Sequence, residues 1–275
     1  MSFKQRNRQP ELMDAPDLND QLHHAALTGL RRVNWLSGTD RVIWRAIRGL
    51  AASPTPVRTP LKILDIASGG GDLAIALARR FDRARVAVEI EGCDISETAI
   101  RYARDNAAAA GAANVTFTQR DVLTNPPSEN SYDVVMCTLF LHHLEESDAV
   151  RLLRTMCTAA RQRVLVDDLR RTALGYWMAW IGTRLLTRCP IVHVDGPLSV
   201  AGAFTVAEAR ELATAAGCVR IGCLTHWPQR FLLMADPGKS AAAESVPVTE
   251  SVVRNSSVRE PRGGEAATSP ADGGS

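Results

Sequence analysis

The sequence predicts an α/β protein built around a mostly parallel β-sheet with helices on both faces. Three observations support this fold class. First, apolar runs rich in Val, Ile and Leu alternate with helical patterns of about 10 to 15 residues between Leu61 and Asp168. Second, a cluster of glycines follows the first of these runs and precedes a helical segment. Third, two strand-like segments near the C-terminus follow each other without a helix between them, which favours an antiparallel end to the sheet.

The strands and helices of the central region follow one another in a regular order. Their apolar character and length predict strands in the segments LKILDIA, VAVEIEGCDI, NVTFTQRDV, YDVVMCTLFL and RVLVDDL. Helices are predicted in DLAIALARRF, in SETAIRYARDNAAAA, which ends at Gly111, and in EESDAVRLLRTMCTAA. Further along, VAEARELATAAG is predicted to be helical, and VRIGCLTHW and RFLLMA are the two terminal strands. The predicted sheet is therefore doubly wound and has seven strands.

Changes in composition divide the chain into five segments. Residues 1–15 and 236–275 show no sustained periodicity, so we expect both to be disordered. Residues 16–52 contain two helical patterns and are expected to form a helical lid. Residues 61–168 form the core of the predicted fold, and residues 169–235 add a helical insertion and the strands that complete the sheet.

Composition limits the classes of function. The 275 residues are 45% apolar and carry a net charge of +2, which gives little electrostatic attraction toward nucleic acid. The sequence contains no run of roughly 18 apolar residues, which a membrane-spanning helix requires. Its N-terminus lacks the apolar segment of a secretory signal. The spacing of the cysteines matches no zinc site, so we expect reduced cysteines, no bound metal and a cytoplasmic protein.

The segment ILDIASGGGD, from Ile63 to Asp72, carries the most information about function. A buried strand runs into three glycines and then opens a helix. Glycine permits positive φ angles and a close approach of the backbone to a ligand, and the N-terminus of a helix favours an electron-rich ligand group. Gly69, Gly71 and Ala74 also satisfy the G-x-G-x-x-A pattern of dinucleotide-binding proteins, which keeps a nicotinamide cofactor open as an alternative.

Acidic residues accompany three successive predicted strands. Asp65 lies inside the first strand, Asp94 ends the second and Asp121 follows the third. Because the carboxyl ends of neighbouring parallel strands line one crevice, we expect these side chains to face a common ligand. Asp94 is placed to accept the hydroxyls of a ribose, and Asp121 is placed to accept the exocyclic amine of adenine. Each of them, taken alone, also fits a helix cap or a turn.

The segments LDIASGGGD, GCDIS, QRDVL and YDVVMCTLFLHHL together resemble the successive motifs of class I S-adenosylmethionine-dependent methyltransferases, in particular the ubiquinone/menaquinone C-methyltransferase-like branch. The resemblance covers about Leu61 to Asp168 and the terminal strand pair. It implies a Rossmann-like fold and S-adenosylmethionine as the cofactor. The residues that it places at the cofactor are Asp65, Ala67, Gly69 and Gly71 at the glycine turn, Asp94 at the ribose with Ile95 next to it in the chain, Asp121 and Val122 at the adenine, and Thr138 at the end of the fourth strand.

The chain departs from the family's pattern at one position. The first glycine of the usual G-x-G-x-G is Ala67 here. Alanine is small enough to permit a close approach of the ligand, but it does not suit a position that requires a positive φ angle. The glycine turn therefore supports cofactor binding without proving it.

Histidines are the candidates for acid–base chemistry. Methyl transfer from a sulfonium depends mainly on alignment, and a base is needed only where the acceptor must lose a proton. His142 and His143 follow the fourth strand at the edge that carries the glycine turn, and His193 lies in the later insertion. The alternative for each is a structural role in a turn or loop. Asp167 and Asp168 end the fifth strand, where an acid could bind a metal or orient a base, and they are expected to be solvated or paired with an arginine.

An apolar, aromatic stretch, TALGYWMAWIGTRLL, indicates the character of the acceptor. Such a helix near the site suits a small hydrophobic or aromatic acceptor of phenolic, quinone or polyketide type. Ordinary packing between helices explains the same residues equally well. Trp177 and Trp180, with Arg184 and Arg188 beside them, also permit weak contact with a membrane surface.

These observations predict an enzyme that transfers a methyl group from S-adenosylmethionine to a small hydrophobic acceptor. A weaker resemblance, carried by PELMD…GLRRVNWLSG and DDLRR…SVAGAFTVAEARELATAAG, is to bacterial methyltransferases of polyketide or phenolic lipid pathways, and it implies a role in secondary metabolism. Two alternatives stay open. The G-x-G-x-x-A pattern is also typical of an NAD(P)-dependent oxidoreductase, and Ala67 is compatible with a protein that binds S-adenosylmethionine without turnover.

Overall fold

A computed structural model describes residues 3–14, 18–50 and 60–238 of the chain. Almost all of the C-terminal segment that the sequence predicts to be disordered lies outside these residues, as does the second compact unit, residues 239–275. Three residues at the border between the predicted N-terminal segment and the helical lid, numbers 15–17, also lie outside them.

The described residues contain one sheet of seven strands in the order β3-β2-β1-β4-β5-β7-β6. Strands β1 to β5 pair in parallel, and β7 is antiparallel to both β5 and β6. This topology confirms the predicted fold class, including the antiparallel end of the sheet. The strands are β1 (Leu61–Ile66), β2 (Val88–Asp94), β3 (Val115–Gln119), β4 (Tyr132–Thr138), β5 (Ala160–Leu169), β6 (Val219–His226) and β7 (Arg230–Asp236).

Eight α-helices lie in the described part of the chain, and several begin and end at residues with a clear capping role. The Ser96 side chain accepts from the backbone of Ala99 at the start of α4, and Gly111 ends that helix in the left-handed conformation. Thr205 and Glu208 form a reciprocal capping box at the start of α8. The helices are α1 (Asp20–Ser37), α2 (Thr39–Ile47), α3 (Asp72–Ala84), α4 (Glu97–Ala110), α5 (Glu146–Ala159), α6 (Ala173–Leu186), α7 (Pro190–Gly202) and α8 (Val206–Ala215).

Two apolar layers cover the sheet. On one face, Ile43 and Ile47 of α2 pack with Phe81 of α3 and Ile100 of α4 against strands that include β1 and β2. On the other face, α5 and α8 pack around Phe204 against a second set of strand side chains. Helices on both faces satisfy the apolar side chains that parallel strands carry on each side. Helix α2, expected as part of a lid, is therefore part of the core.

The N-terminal segment, residues 3–14, is held by the rest of the protein, so the prediction of disorder is wrong for it. Arg6 donates to the carbonyls of His142 (2.9 Å) and Gly202 (2.6 Å), and its guanidinium lies 3.8 Å above the ring of Phe204. The backbone N–H of Asn7 donates to the carbonyl of Ala201 (3.0 Å). These bonds form between parts of the chain that are far apart in sequence, and a local composition argument does not include them.

Two further differences concern the region after β5 and the cysteines. The segment CPIVHVDGPLSV, for which the sequence analysis predicts no helix of its own, forms helix α7, which contains Pro197. Cys157 of α5 and Cys218, just before β6, form a disulfide, which contradicts the expectation of reduced cysteines for this pair. Cys93, Cys137, Cys189 and Cys223 are free thiols.

Candidate active site

The glycine turn connects β1 to α3 at the carboxyl edge of the sheet. Ala67, Gly69 and Gly71 all have positive φ angles, 53°, 51° and 75°. The turn is fixed by a bond from the Ser68 N–H to the carbonyl of Cys93 on β2 (3.0 Å). A Cβ at Gly71 would overlap the ring of Phe117, so glycine is required there. Ala67 adopts the strained conformation that the sequence analysis identified as the difficulty of this substitution.

Asp65 is the most unusual side chain of the site. It is buried on β1, and neither carboxylate oxygen has a hydrogen-bond partner within the described residues. Burial, and then the nearby charge of Asp94, raise the pKa of Asp65 to about 8. A buried carboxylate without a donor is costly for the folded state. Such a group points to a ligand that supplies a donor or a positive charge.

Asp94 and Asp121 are engaged with the backbone of the two turns that follow their strands. The carboxylate of Asp94 accepts from the N–H groups of Gly69 (2.9 Å) and Ser96 (2.9 Å), so it ties the glycine turn to the end of β2. Asp121 accepts from the Leu123 N–H (2.9 Å) and closes a turn after β3. A carboxylate accepts more than two hydrogen bonds, so both can also bind ligand hydroxyl or amino groups.

The remaining residues predicted at the cofactor lie along the same edge. Ile95 follows β2 and is exposed, Val122 is buried beside the turn that Asp121 closes, and Thr138 ends β4 half-buried. Helix α1 lies against the glycine turn through Leu27. A Cβ built at Gly69 would be 3.8 Å from the Leu27 side chain. The fold therefore brings the predicted cofactor residues to one edge of the sheet.

His142 is held as a buried ion pair. Its Nδ1 lies 2.6 Å from Asp168, and its Nε2 lies 3.5 Å from Glu11 of the N-terminal segment. Burial lowers the pKa of His142, but the charge and hydrogen bond of Asp168, followed by those of Glu11, outweigh it and raise the pKa to about 10. An imidazole that is protonated at neutral pH does not accept a proton. The ion pair therefore favours a structural role for His142, and its assignment as a base stays a prediction.

The other two candidate histidines have different environments. His143 is half-buried, stacks on Phe140 and lies beside His142, with ring centroids 4.3 Å apart. His193 lies on helix α7 rather than in a loop, and its Nε2 is 2.8 Å from the carbonyl oxygen of Thr187. His193 thus fixes the connection between α6 and α7, whereas His143 remains the candidate at the edge of the sheet.

The structure brings together one cluster of donor atoms of the kind that bind metals. Glu11, His142 and His143 each place one such atom within 4.8 Å of the others. Contacts of both histidines with the carboxylate of Glu11, at 3.5 Å for His142 and 3.9 Å for His143, account for this arrangement without an ion. The expectation that no metal is bound stays a prediction.

Sequence reasoning missed a second buried polar cluster, at the carboxyl end of β5. His226 of β6 pairs with Asp167, and Arg230 of β7 reaches both Asp167 (3.4 Å) and Thr39 (2.8 Å). The Nε of Arg230 is buried without a partner in the described part of the chain. The cluster fastens the corner between α1 and α2 to the sheet edge. The amino-acid sequence indicates this cluster only weakly, because a His and an Arg on either side of a hairpin turn are common.

Comparisons with known proteins match the same region. Residues 63–163 match the family model of a methyltransferase domain. Demethylmenaquinone methyltransferase of Deinococcus radiodurans is 34% identical over 93 residues, which cover 34% of this chain and 36% of that protein. The ubiquinone/menaquinone biosynthesis C-methyltransferase of Paraburkholderia phymatum is 32% identical over 150 residues, 51% of this chain and 60% of that protein.

Residues 63–163 are a class I methyltransferase domain. The methyltransferase domain contains the glycine turn and all nine residues predicted at the cofactor, and S-adenosylmethionine is the methyl donor of its family. The chain spans only 36% to 60% of the length of the two curated relatives described here.

A solved structure extends the likeness of fold beyond the methyltransferase domain. Magnesium protoporphyrin IX methyltransferase from Synechocystis PCC 6803, with bound SAH, superimposes with a TM-score of 0.52 and 19% identity. The superposition covers 81% of this chain and 90% of that chain. At this level of identity, the likeness shows that the two chains share a fold.

Proposed function

We propose that this protein transfers a methyl group from S-adenosylmethionine to a small, hydrophobic, aromatic acceptor. The observation that carries the proposal is the buried, unpartnered carboxylate of Asp65 beside a glycine turn inside a methyltransferase domain. S-adenosylmethionine carries an ammonium group, and an ammonium supplies both the charge and the donors that this carboxylate lacks.

Different residues of the chain bind different parts of the donor. Asp65 pairs with the ammonium, and Asp94 accepts from the ribose while it keeps the N–H of Gly69 in position. Ile95 offers an exposed apolar side chain to the adenine. The bound donor supplies an activated methyl group on a sulfonium. Helix α1, with Leu27 against the glycine turn, excludes water from one side of the site.

An acceptor that loses a proton needs a base near the carboxyl end of β4. Of the three predicted histidines we assign this role to His143, because His142 is buried against Asp168 at 2.6 Å and His193 bonds the carbonyl of Thr187, whereas the Nε2 of His143 lies 3.9 Å from Glu11 and its ring is only half-buried. His143 lies directly after the strand that Thr138 ends, at the edge that carries the cofactor residues.

The activities for which the relatives are named support the choice of acceptor class. The curated relatives include C- and O-methyltransferases of ubiquinone and menaquinone biosynthesis, and the solved neighbour is a porphyrin methyltransferase. Quinone precursors and porphyrins are apolar and aromatic. Our proposal for this chain is accordingly a phenolic, quinone or polyketide-like acceptor, and secondary metabolism as its setting.

Cofactor binding is tested by calorimetric titration with S-adenosylhomocysteine, which keeps the ammonium and the ribose. We expect Asp65→Asn to weaken binding about tenfold to a hundredfold through the loss of a charged hydrogen bond. Binding to the unsubstituted protein should strengthen as the pH rises toward about 8, because Asp65 then ionises. The Asn variant should lack this part of the pH dependence.

The control for this titration is Asp133→Asn. Asp133 lies at the start of β4, at the opposite edge of the sheet, and accepts from the backbone of Lys62. Its substitution should leave the affinity unchanged. Equal affinity of the Asp65→Asn and unsubstituted proteins would remove the basis of the proposal. Binding of NADH or NADPH in place of S-adenosylhomocysteine would favour the oxidoreductase alternative.

Turnover is tested separately, with S-adenosylmethionine labelled in the methyl group. We expect label to appear in organic-extractable products when the protein is incubated with phenols, quinones or an extract of the native host. Label that stays in the aqueous fraction with every acceptor, while the donor still binds, would favour the non-catalytic alternative.

A further inference from the structure

Helix α6 presents its apolar side chains to solvent and its small side chains to the protein. Leu174, Trp177, Ile181 and Leu185 recur at helical spacing and are exposed, Trp177 by 57% and Leu185 by 80%. The buried residues of the same helix are Gly175 and Thr183. In a helix that only covers a core, the apolar residues face inward. The reversed pattern of α6 means that its outer face is adapted to something other than water.

The helix is firmly attached through its inner face, so the exposure does not come from a loose end. Thr172 caps the first turn and also bonds Gln229 (3.1 Å) beside β7. A Cβ at Gly196 of α7 would lie 2.6 Å from the side chain of Thr183, which shows how closely α6 and α7 approach. Gly175 and Thr183 thus lie at the closest contacts of α6 with the protein, Tyr176 packs half-buried on Phe3, and the row from Leu174 to Leu185 is left on the outer face.

The charge of the segment that contains α6 has one sign. Between Thr172 and Val194 the chain contains no Asp or Glu, whereas Arg184 and Arg188 are exposed. The guanidinium of Arg184 lies 4.2 Å from the centre of the Trp180 ring. Neither arginine forms an ion pair with any of the residues that the structure describes. An apolar face edged by tryptophan and unpaired arginine is complementary to a surface of anionic lipid.

We propose that the outer face of α6 binds the surface of an anionic membrane and lies in the headgroup region. The helix does not span the bilayer, because no helix among the described residues combines the length and the apolar character that this requires. A second copy of the chain fits the face less well. In a symmetric dimer through α6, the helix would offer no acid of its own to pair with the arginines of the other copy.

The test is sedimentation of the full chain with vesicles of phosphatidylcholine alone or mixed with phosphatidylglycerol, at low salt. We expect binding to the mixed vesicles and much weaker binding to phosphatidylcholine. The double variant Trp177→Gln/Ile181→Gln should bind at least about tenfold more weakly, because it removes apolar area that enters the lipid. Arg184→Gln and Arg188→Gln should each weaken binding about fivefold, and salt should weaken binding of the unsubstituted protein.

Leu224→Gln is the matched control, because Leu224 is an exposed aliphatic residue of strand β6, outside α6. Its vesicle binding should equal that of the unsubstituted protein. Quenching of tryptophan fluorescence by brominated lipid should be strong, and it should weaken when Trp177 and Trp180 are replaced by glutamine.

Three results would overturn the inference: no binding to the mixed vesicles, equal binding of the Trp177→Gln/Ile181→Gln variant, or a dimer in light scattering that this variant abolishes. The last result would identify a second copy as the occupant. Vesicle binding requires no cofactor and no turnover, so its failure leaves the proposed methyl transfer untouched, and the reverse also holds.

Discussion

At the scale of single residues, Ala67 and Gly69 form a natural pair for comparison. Both have φ angles close to 50°, but one has a side chain and the other does not. The left-handed conformation destabilises a folded alanine by about 1 to 2 kcal/mol. A glycine loses more backbone entropy on folding than an alanine does, which costs about 0.4 to 1 kcal/mol. A Cβ at Gly69 would make only an ordinary contact with Leu27, at 3.8 Å. The backbone conformation therefore decides how an exchange of alanine and glycine changes the stability at both positions.

We therefore expect Ala67→Gly to raise the free energy of unfolding by about 0.5 to 1 kcal/mol, and Gly69→Ala to lower it by a similar amount. Urea denaturation of the two variants measures both effects. If Ala67→Gly destabilises the protein, alanine has a packing role at this position that outweighs its backbone strain.

His142 makes stability depend on pH in a direction that follows from its raised pKa. The imidazole has a pKa of about 10 in the folded protein against 6.5 as the reference value. Its contribution to stability is therefore complete below about pH 6.5 and is lost as the pH rises through about 10. Burial raises the pKa values of Glu11 and Asp168, but they are lowered overall: at Glu11 by the bond to His142 and the charges of His143 and His142, and at Asp168 by the charge and bond of His142 and by backbone N–H groups. Their contributions are lost instead as the pH falls into the acid range.

We expect His142→Gln to lower the free energy of unfolding by about 3 to 5 kcal/mol at neutral pH, because it leaves the buried carboxylate of Asp168 without a counter-charge. The variant should also lack the alkaline decline that begins above about pH 6.5. His193→Gln is the control, since it removes a bond to the neutral carbonyl of Thr187 and should cost about 1 kcal/mol. Equal pH profiles for the unsubstituted and His142→Gln proteins would show that this histidine is uncharged.

At the scale of elements, the N-terminal segment depends on helix α7. The carboxylate of Asp195 is buried on α7 and accepts from the backbone N–H groups of Leu12 (2.9 Å) and Met13 (3.0 Å). It acts as a cap for a short 3₁₀ turn that belongs to a distant part of the sequence. The same segment carries Glu11 to His142, so its attachment also completes the ion pair at the end of β4.

We expect Asp195→Ala to speed hydrogen exchange at Leu12 and Met13 by about fivefold to thirtyfold, which corresponds to a loss of about 1 to 2 kcal/mol. Asp195→Asn keeps one acceptor and should give a smaller increase. Amides of α5 serve as an internal reference that should not change. Exchange at Leu12 and Met13 that is the same in all three proteins would mean that other contacts hold this segment.

The elements also show how far sequence reasoning reaches. Periodicity and capping located the five parallel strands and the helices between them, because those signals are local. Helix α7 was missed because Asp195, Gly196 and Pro197 together are typical of a turn, whereas here Asp195 is buried and Gly196 lets α6 approach. The orphaned state of Asp65 could not be inferred either, since it depends on what surrounds β1 in space.

At the scale of the whole molecule, the sheet brings three regions together at one edge. The methyltransferase domain supplies the glycine turn and the acids, the N-terminal helices cover that turn, and the C-terminal hairpin supplies His226 and Arg230. Asp167 and Asp168 are neighbours on β5, yet they serve two different clusters because adjacent strand residues point to opposite faces. Sequence motifs located the first region well, and the contributions of the other two depend on tertiary contacts.

The disulfide between Cys157 and Cys218 joins α5 to the start of β6, 61 residues along the chain. Such a cross-link restricts the unfolded chain, and for a loop of this length the expected stabilisation is about 4 kcal/mol. We therefore expect a reductant to lower the midpoint of urea unfolding, and the double variant Cys157→Ser/Cys218→Ser to be insensitive to it. Under denaturing conditions without reductant, four of the six cysteines should react with a thiol reagent. Six reactive thiols would show that the pair is reduced in the purified protein, and the two sulfurs would then contribute to stability only through their packing between α5 and α8.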